Sequence, residues 1–238
     1  MGAFDTLGRV AARLGKLSGE AAPEGRLLGY HGTPHTFSPE AGFPLGRFRA
    51  DRIGSGVGAQ LTGYGHNVTD NPMVAGHYAE QLAQGKLGAI MRYLDDLERA
   101  QSGAPAGRMY EVDFPDGPYL DLDAALGQQP EAVRAQLLGL LDEFQPGLAA
   151  RSPNATGQDA VDILGRDLDP WDIAKEMQRA GAHGTRSRDP VTRSANNYAI
   201  FNGDDINIRA LRAALLAAGG GGGAFGALAG YGGEHGRV

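Results

Sequence analysis

Cysteine is absent from the 238-residue chain, and with it go disulfides, thiolate metal sites and cysteine nucleophiles. Such a chain fits a reducing compartment. A surplus of positive charge is missing too: 22 Lys and Arg stand against 28 Asp and Glu, a formal charge of −6. A surface that neutralises phosphates needs the opposite balance, so generic nucleic-acid binding is not expected. Arg47, Arg49 and Arg52 could form a local basic patch, although solvated loop charge explains them as simply. The first residues lack the basic, apolar and small-residue succession of a secretion leader. The stretch Ala213 to Gly233 is too interrupted by glycine for a membrane span, and a flexible tail is its plainer reading.

Several motifs are missing as well. No Gly-x-Ser-x-Gly elbow is present to support a Ser-His-Asp hydrolase. His35, His77 and His183 show no ligand spacing with paired carboxylates, so no metal site is expected. The run from Ile53 to Gln60 has glycine at 54, 56 and 58, which suggests backbone passing close to a ligand or another strand. It lacks both the strand-then-helix setting of a dinucleotide fingerprint and the Lys-Ser/Thr of a phosphate loop.

What is present is ordinary globular material, 42% hydrophobic and 21% charged, enough for one domain with extensions. Thirty-eight glycines are roughly twice the usual share and announce long loops. Residues 1–25 read as an amphipathic helix (Phe4, Leu7, Ala11, Leu14, Leu17) and a linker, with docking on its own domain the plain reading and membrane contact the rarer one. Residues 26–209 form the domain, and 210–238 a Gly/Ala-rich tail.

Within the domain, Leu27 to His31 is a strand candidate. Asp70 or Asn71 caps a helix opened by Pro72, with Val74, Ala75, Tyr78, Ala79 and Leu82 on one face. Leu87 to Leu97 is a second helix candidate. Met109 to Phe114 alternates as a half-buried strand, and Tyr119 to Leu122 is a further short one. Pro130 opens a helix with Val133, Leu137, Leu140, Leu141 and Phe144 on one side. Residues 146–168 look irregular, with a short helix around Ala160 to Leu164. Asp169-Pro170 starts another helix with Trp171, Ala174 and Met177 inward and Gly181 as its stop. Tyr198 to Phe201 and Ile206 to Ile208 read as a hairpin around Asn202-Gly203. Strands early, middle and late, with helices between, predict an α+β fold.

The order of the remaining motifs is informative. Tyr30-His31-Gly32-Thr33 comes first, then Gly56-x-Gly58-Ala59-Gln60. Gly63-Tyr64-Gly65 leads to Thr69-Asp70, with Ala75 and Tyr78 on the following helix. Asn197-Tyr198-Ala199-Ile200-Phe201 comes last, and Met109 to Phe114 and Gly181-x-x-Gly184 add landmarks. This series resembles the ADP-ribosyltransferase domain of the diphtheria-toxin and poly(ADP-ribose) polymerase type, most closely the versions in bacteriophage and prophage proteins. The resemblance covers about residues 26–209 and implies split antiparallel β-sheets with surrounding helices.

By that resemblance the substrate is NAD, with no metal. His31 would bond the ribose beside the adenine, and the Gly32 backbone the nicotinamide carboxamide. Thr33 would assist near the adenosine, and Tyr78 would stack on the cationic nicotinamide ring. Gln60 and Tyr64 would line the pocket. The family's His-Tyr-Glu triad reads His31-Asn67-Asn197 here, and a serine that relatives carry one turn before the stacking tyrosine is Ala75. Cleaving the nicotinamide–ribose bond builds an oxocarbenium-like transition state. Asparagine can bond a ribose hydroxyl but brings no negative charge to that centre, a loss that costs about 3 kcal/mol by analogy with deleted electrostatic groups. The resemblance thus argues against poly-ADP-ribose synthesis and leaves mono-transfer, NAD hydrolysis and silent NAD binding open. The leading expectation is mono-ADP-ribosylation of a bacterial host protein, in the host cytoplasm or after ejection from a virion. The alternative is a catalytically inactive NAD-binding or structural module of a virion or polyprotein. A third reading has the amphipathic start and the tail of a virion-ejected protein touch membrane.

Overall fold

Local sequence explains most of the elements. The computed structural model describes residues 21–33, 35–54, 63–83, 108–147, 151–152, 154–189 and 192–213. The helix expected over Leu87 to Leu97, the amphipathic start, Gln60 and the glycine-rich stretch after residue 213 lie outside them.

Strand β1 is Arg26–Thr33, β2 His66–Thr69, β3 Arg108–Pro115 and β4 Leu120–Asp121. Helix α1 is Pro72–Ala83, α2 Glu131–Phe144, α3 Gly157–Leu164 and α4 Pro170–Arg179. Strands β5 (Gly184–Arg188), β6 (Asn196–Ile200) and β7 (Asn207–Ala213) complete the set. The strands form one sheet in the order β4-β5-β6-β2-β1-β3-β7. Every pairing is antiparallel except β4 with β5. The fold is thus α+β. Between β1 and β2 the register holds only at Tyr30 and Thr69, while β1 and β3 match along all eight residues. The sheet is thinnest at this junction, beside His31.

Three apolar groups hold the layers. On one face, Phe48, Val68, Tyr110, Val112, Phe114, Tyr119, Tyr198, Ile200 and Ile206 form a buried cluster. On the other face of β1, Tyr30, Ala75 and Met109 pack α1 against the sheet. Helices α2, α3 and α4 build the third group with Leu120, Leu122 and Phe201. Leu137 and Leu141 at its centre are almost wholly buried, each stabilising the fold by about 2 kcal/mol.

The caps follow the sequence in part, since the Asp169 side chain before α4 makes no cap bond. The Asn71 side chain accepts from the Met73 amide at 2.9 Å, while Asp70 instead receives the Asn196 amide and side chain at 2.9 and 2.8 Å. Thr156 and Asp159 close a reciprocal capping box at the start of α3. Pro170 occupies the first turn of α4, and Gly181 past its end has φ +83°.

Four expectations need correcting. Strand β3 is buried on both faces, because Glu111 and Asp113 are as hidden as their apolar neighbours. Asp113 is held there by Arg26 and by Asn207, which donates at 3.0 Å. Trp171 is 42% exposed; Ile173, Ala174 and Met177 face the core, and Trp171 lies under Lys175 one turn on, 4.6 Å from the ring centre. The hairpin at Asn202-Gly203 does not form. Residues Gly203–Asp205 make a 3-10 turn that carries the chain from β6, inside the sheet, to β7 at its edge. Gly203 is not in the positive-φ conformation; it is small because a Cβ there would meet the Phe48 carbonyl oxygen at 2.7 Å. Finally, β7 runs to Ala213, past the boundary at 209, because it pairs with β3 over Arg108 to Tyr110.

Candidate functional site

His31 sits on β1 one residue beyond the last register contact with β2. Gly32 and Asn67 are not in register, and the Asn67 carbonyl accepts from His31 Nδ1 at 2.7 Å. A carbonyl only accepts, so Nδ1 carries the proton and Nε2 of the neutral ring is an acceptor. The ring lies 5.0 Å from Phe48 and 5.8 Å from Phe37. Burial lowers its pKa, opposed by the Asn67 bond and aided by nearby His35. His31 is therefore a neutral, aromatic-packed histidine with a fixed tautomer.

The pleat divides the expected site. Gly29, two residues before His31, abuts Val68 and Phe114, so His31 shares the face of the aromatic cluster. Asn67, Thr69 and Asn197 alternate with Val68 and Tyr198 across β2 and β6 and belong to the opposite face, that of α1. Asn67 is exposed, and Asn197 is only 8% exposed. The His31–Asn67 bond is the link between the two faces.

On the α1 face, Asn197 Nδ2 donates to Asp189 Oδ2 at 3.2 Å. Asp189 is 3% exposed. Its Oδ1 accepts from the Thr192 amide at 2.7 Å, and its backbone joins Ala195 and Arg193 across the turn into β6. Arg193 there has φ +54°, a conformation costing a side-chain-bearing residue about 1 kcal/mol. Tyr78, partly buried on α1, has its hydroxyl pKa raised, first by burial and then by the charge of Asp189. Asp189 thus bonds Asn197 directly and reaches Tyr78 through its charge, and of the three only Asp189 escaped the reading of the sequence. Its one local signal is an Asp-Pro step, which reads as a turn.

The other expected residues have structural employment. Gly32 packs so closely under α1 that a Cβ would lie 1.9 Å from the Ala75 carbonyl oxygen, and Ala75 is 1% exposed at that crossing. The Thr33 hydroxyl accepts from the His35 amide at 3.2 Å. Tyr64 packs on the helical core, 5.0 Å from Trp171. Arg47, Arg49 and Arg52 are paired with Glu40, Asp51 and Asp204 rather than gathered into a basic surface.

His66 begins β2, 6% exposed and 5.3 Å from Phe48. Its Nε2 has no hydrogen-bond partner among the described residues, and burial, helped by His31, lowers its pKa to about 4. A hollow of about 230 Å³ lies beyond Phe48, between Arg47, Asp51, Asn202 and Gly203; Tyr78 and Asn197 do not line it. Among the described residues no group of three or more His, Asp or Glu could hold a metal ion, and no helix is long and apolar enough to cross a membrane. No family model matches the chain, and neither a curated protein nor a solved structure does.

Proposed function

We propose that the chain binds NAD and transfers a single ADP-ribose to a bacterial host protein, as phage and prophage ADP-ribosyltransferase-like domains would. The observation that carries this reading is the hydrogen bond from His31 Nδ1 to the Asn67 carbonyl at the point where β1 and β2 lose register. It makes Nε2 of the neutral ring an acceptor, the kind of group suited to a ribose hydroxyl. Tyr78, on the α1 side of the sheet and partly buried, feels the charge of Asp189, and an aromatic face in such a setting suits a cationic pyridinium ring. In cleavage, the bond between the anomeric carbon and the nicotinamide nitrogen breaks and its electron pair leaves with the nitrogen. The acceptor then bonds the carbon and yields its proton to solvent.

The rival reading, an NAD-binding module without turnover, is favoured by the uncharged side chains of Asn67 and Asn197 at the positions where relatives carry tyrosine and glutamate. Incubation with NAD labelled in its adenylate part and a bacterial lysate separates the two. The enzyme reading expects a labelled host protein, and no label with His31→Ala. An unlabelled lysate, with no free nicotinamide while NAD is bound, favours the rival.

A further inference from the structure

We propose that Asp189 is the positioning residue that supplies this site's negative charge, acting through the side-chain amide of Asn197; the proposal rests on the reading of the pocket as an NAD site. Asp189 directly follows strand β5, which pairs with β6 so that Ser187 faces Asn197 across the ladder. Its carboxylate is buried and receives Asn197 Nδ2. A carboxylate only accepts, so this bond fixes which end of the amide turns toward it. Asn197 Oδ1 is thereby turned away from Asp189, as a stronger acceptor than an unpaired amide, because hydrogen bonds in series polarise one another. A hydroxyl of the ribose is the kind of group it would accept from.

The same carboxylate, after burial, raises the pKa of the Tyr78 hydroxyl, so its charge is felt both by a strand amide and by a ring on α1. In a poorly solvated site such a charge attracts positive charge developing nearby more strongly than it would in water. As the glycosidic bond breaks, the cation forms on the ribose ring. Asp189 neither bonds to it nor takes a proton, and contributes its field and the orientation of Asn197.

A purely structural role is the competing account, since Asp189 Oδ1 also holds the Thr192 amide. Asp189→Asn tests the difference, because the new side chain keeps an oxygen for Thr192 while losing the charge. Nicotinamide release by the full chain is measured against NAD concentration, with thermal unfolding followed alongside. The expected result is a fall in kcat of about tenfold or more, with KM and unfolding temperature little changed. The double variant Asp189→Asn with Asn197→Asp, which restores one charge and the hydrogen bond with exchanged roles, is expected to recover most of the loss. A single variant as active as the wild type, or one whose loss matches its unfolded fraction, overturns the proposal and leaves the NAD reading standing. A wild-type chain that neither binds nor cuts NAD removes that reading and the proposal with it.

Discussion

His66 shows how one side chain can tie the stability of the fold to pH. Its ordinary pKa is near 6.5 and its folded value about 4, so between these values the unfolded chain binds the extra proton. Stability is complete above pH 6.5 and is lost as pH falls toward 4. The shift corresponds to roughly 3 kcal/mol at the acid end, and His31, lowered in the same direction, adds to the slope. Urea unfolding at a series of pH values from 7.5 to 4.5 should show a steep decline for the wild type and a shallower one for His66→Gln. Parallel curves would remove His66 from the explanation. Histidine in a short strand looks like a polar residue facing solvent, and only the approach of Phe48 and Gly203 shows that it is buried.

At the scale of elements, the crossing of α1 over β1 rests on Gly32 and Ala75. Gly32→Ala places a methyl group 1.9 Å from the Ala75 carbonyl oxygen, so α1 must move. We expect a loss of about 3 kcal/mol, the upper range for overpacking, measured by chemical unfolding. A loss under about 1 kcal/mol, the range of well-tolerated core exchanges, would mean the helix can slide freely. At α3, Thr156→Ala removes half of the capping box and should cost about 1 kcal/mol, seen as a lower Tm. An unchanged Tm would show the cap to be redundant.

These elements were unequally legible. Helices α2 and α4 advertise themselves through apolar spacing and their prolines. Strand β5, Gly-Thr-Arg-Ser-Arg, carries no apolar alternation. Its pairing depends on Gly184 admitting the Ala199 carbonyl and on Arg186 reaching Asp121 at 2.5 Å, and both partners are distant in sequence. The Asn-Gly step after β6 reads as a hairpin until Phe48 and His66, brought in from far earlier in the chain, account for the glycine.

For the molecule as a whole, the sheet places His31 at the β1–β2 junction and Asn197 on the face that α1 covers. The same sheet puts His31 and Asn197 on opposite faces, a consequence of strand parity and register that spacing along a chain cannot reveal. The buried carboxylate of Asp189 directly follows β5, the strand least visible in the sequence. Exchanging Asn197 for Glu would set a second carboxylate against Asp189. We therefore expect Asn197→Glu to reduce stability and leave NAD cleavage no faster than in the wild type, measured by unfolding and nicotinamide release. A faster, equally stable variant would show that the missing family charge had been the only deficit.

Direct NAD binding to the full chain, followed by titration calorimetry, is the measurement on which the account depends most. Saturable binding by the wild type is expected, weakened about tenfold or more in Tyr78→Ala and in His31→Ala, in line with the loss of an aromatic or hydrogen-bonding anchor. Absence of binding by the wild type, or equal binding by all three proteins, would contradict it.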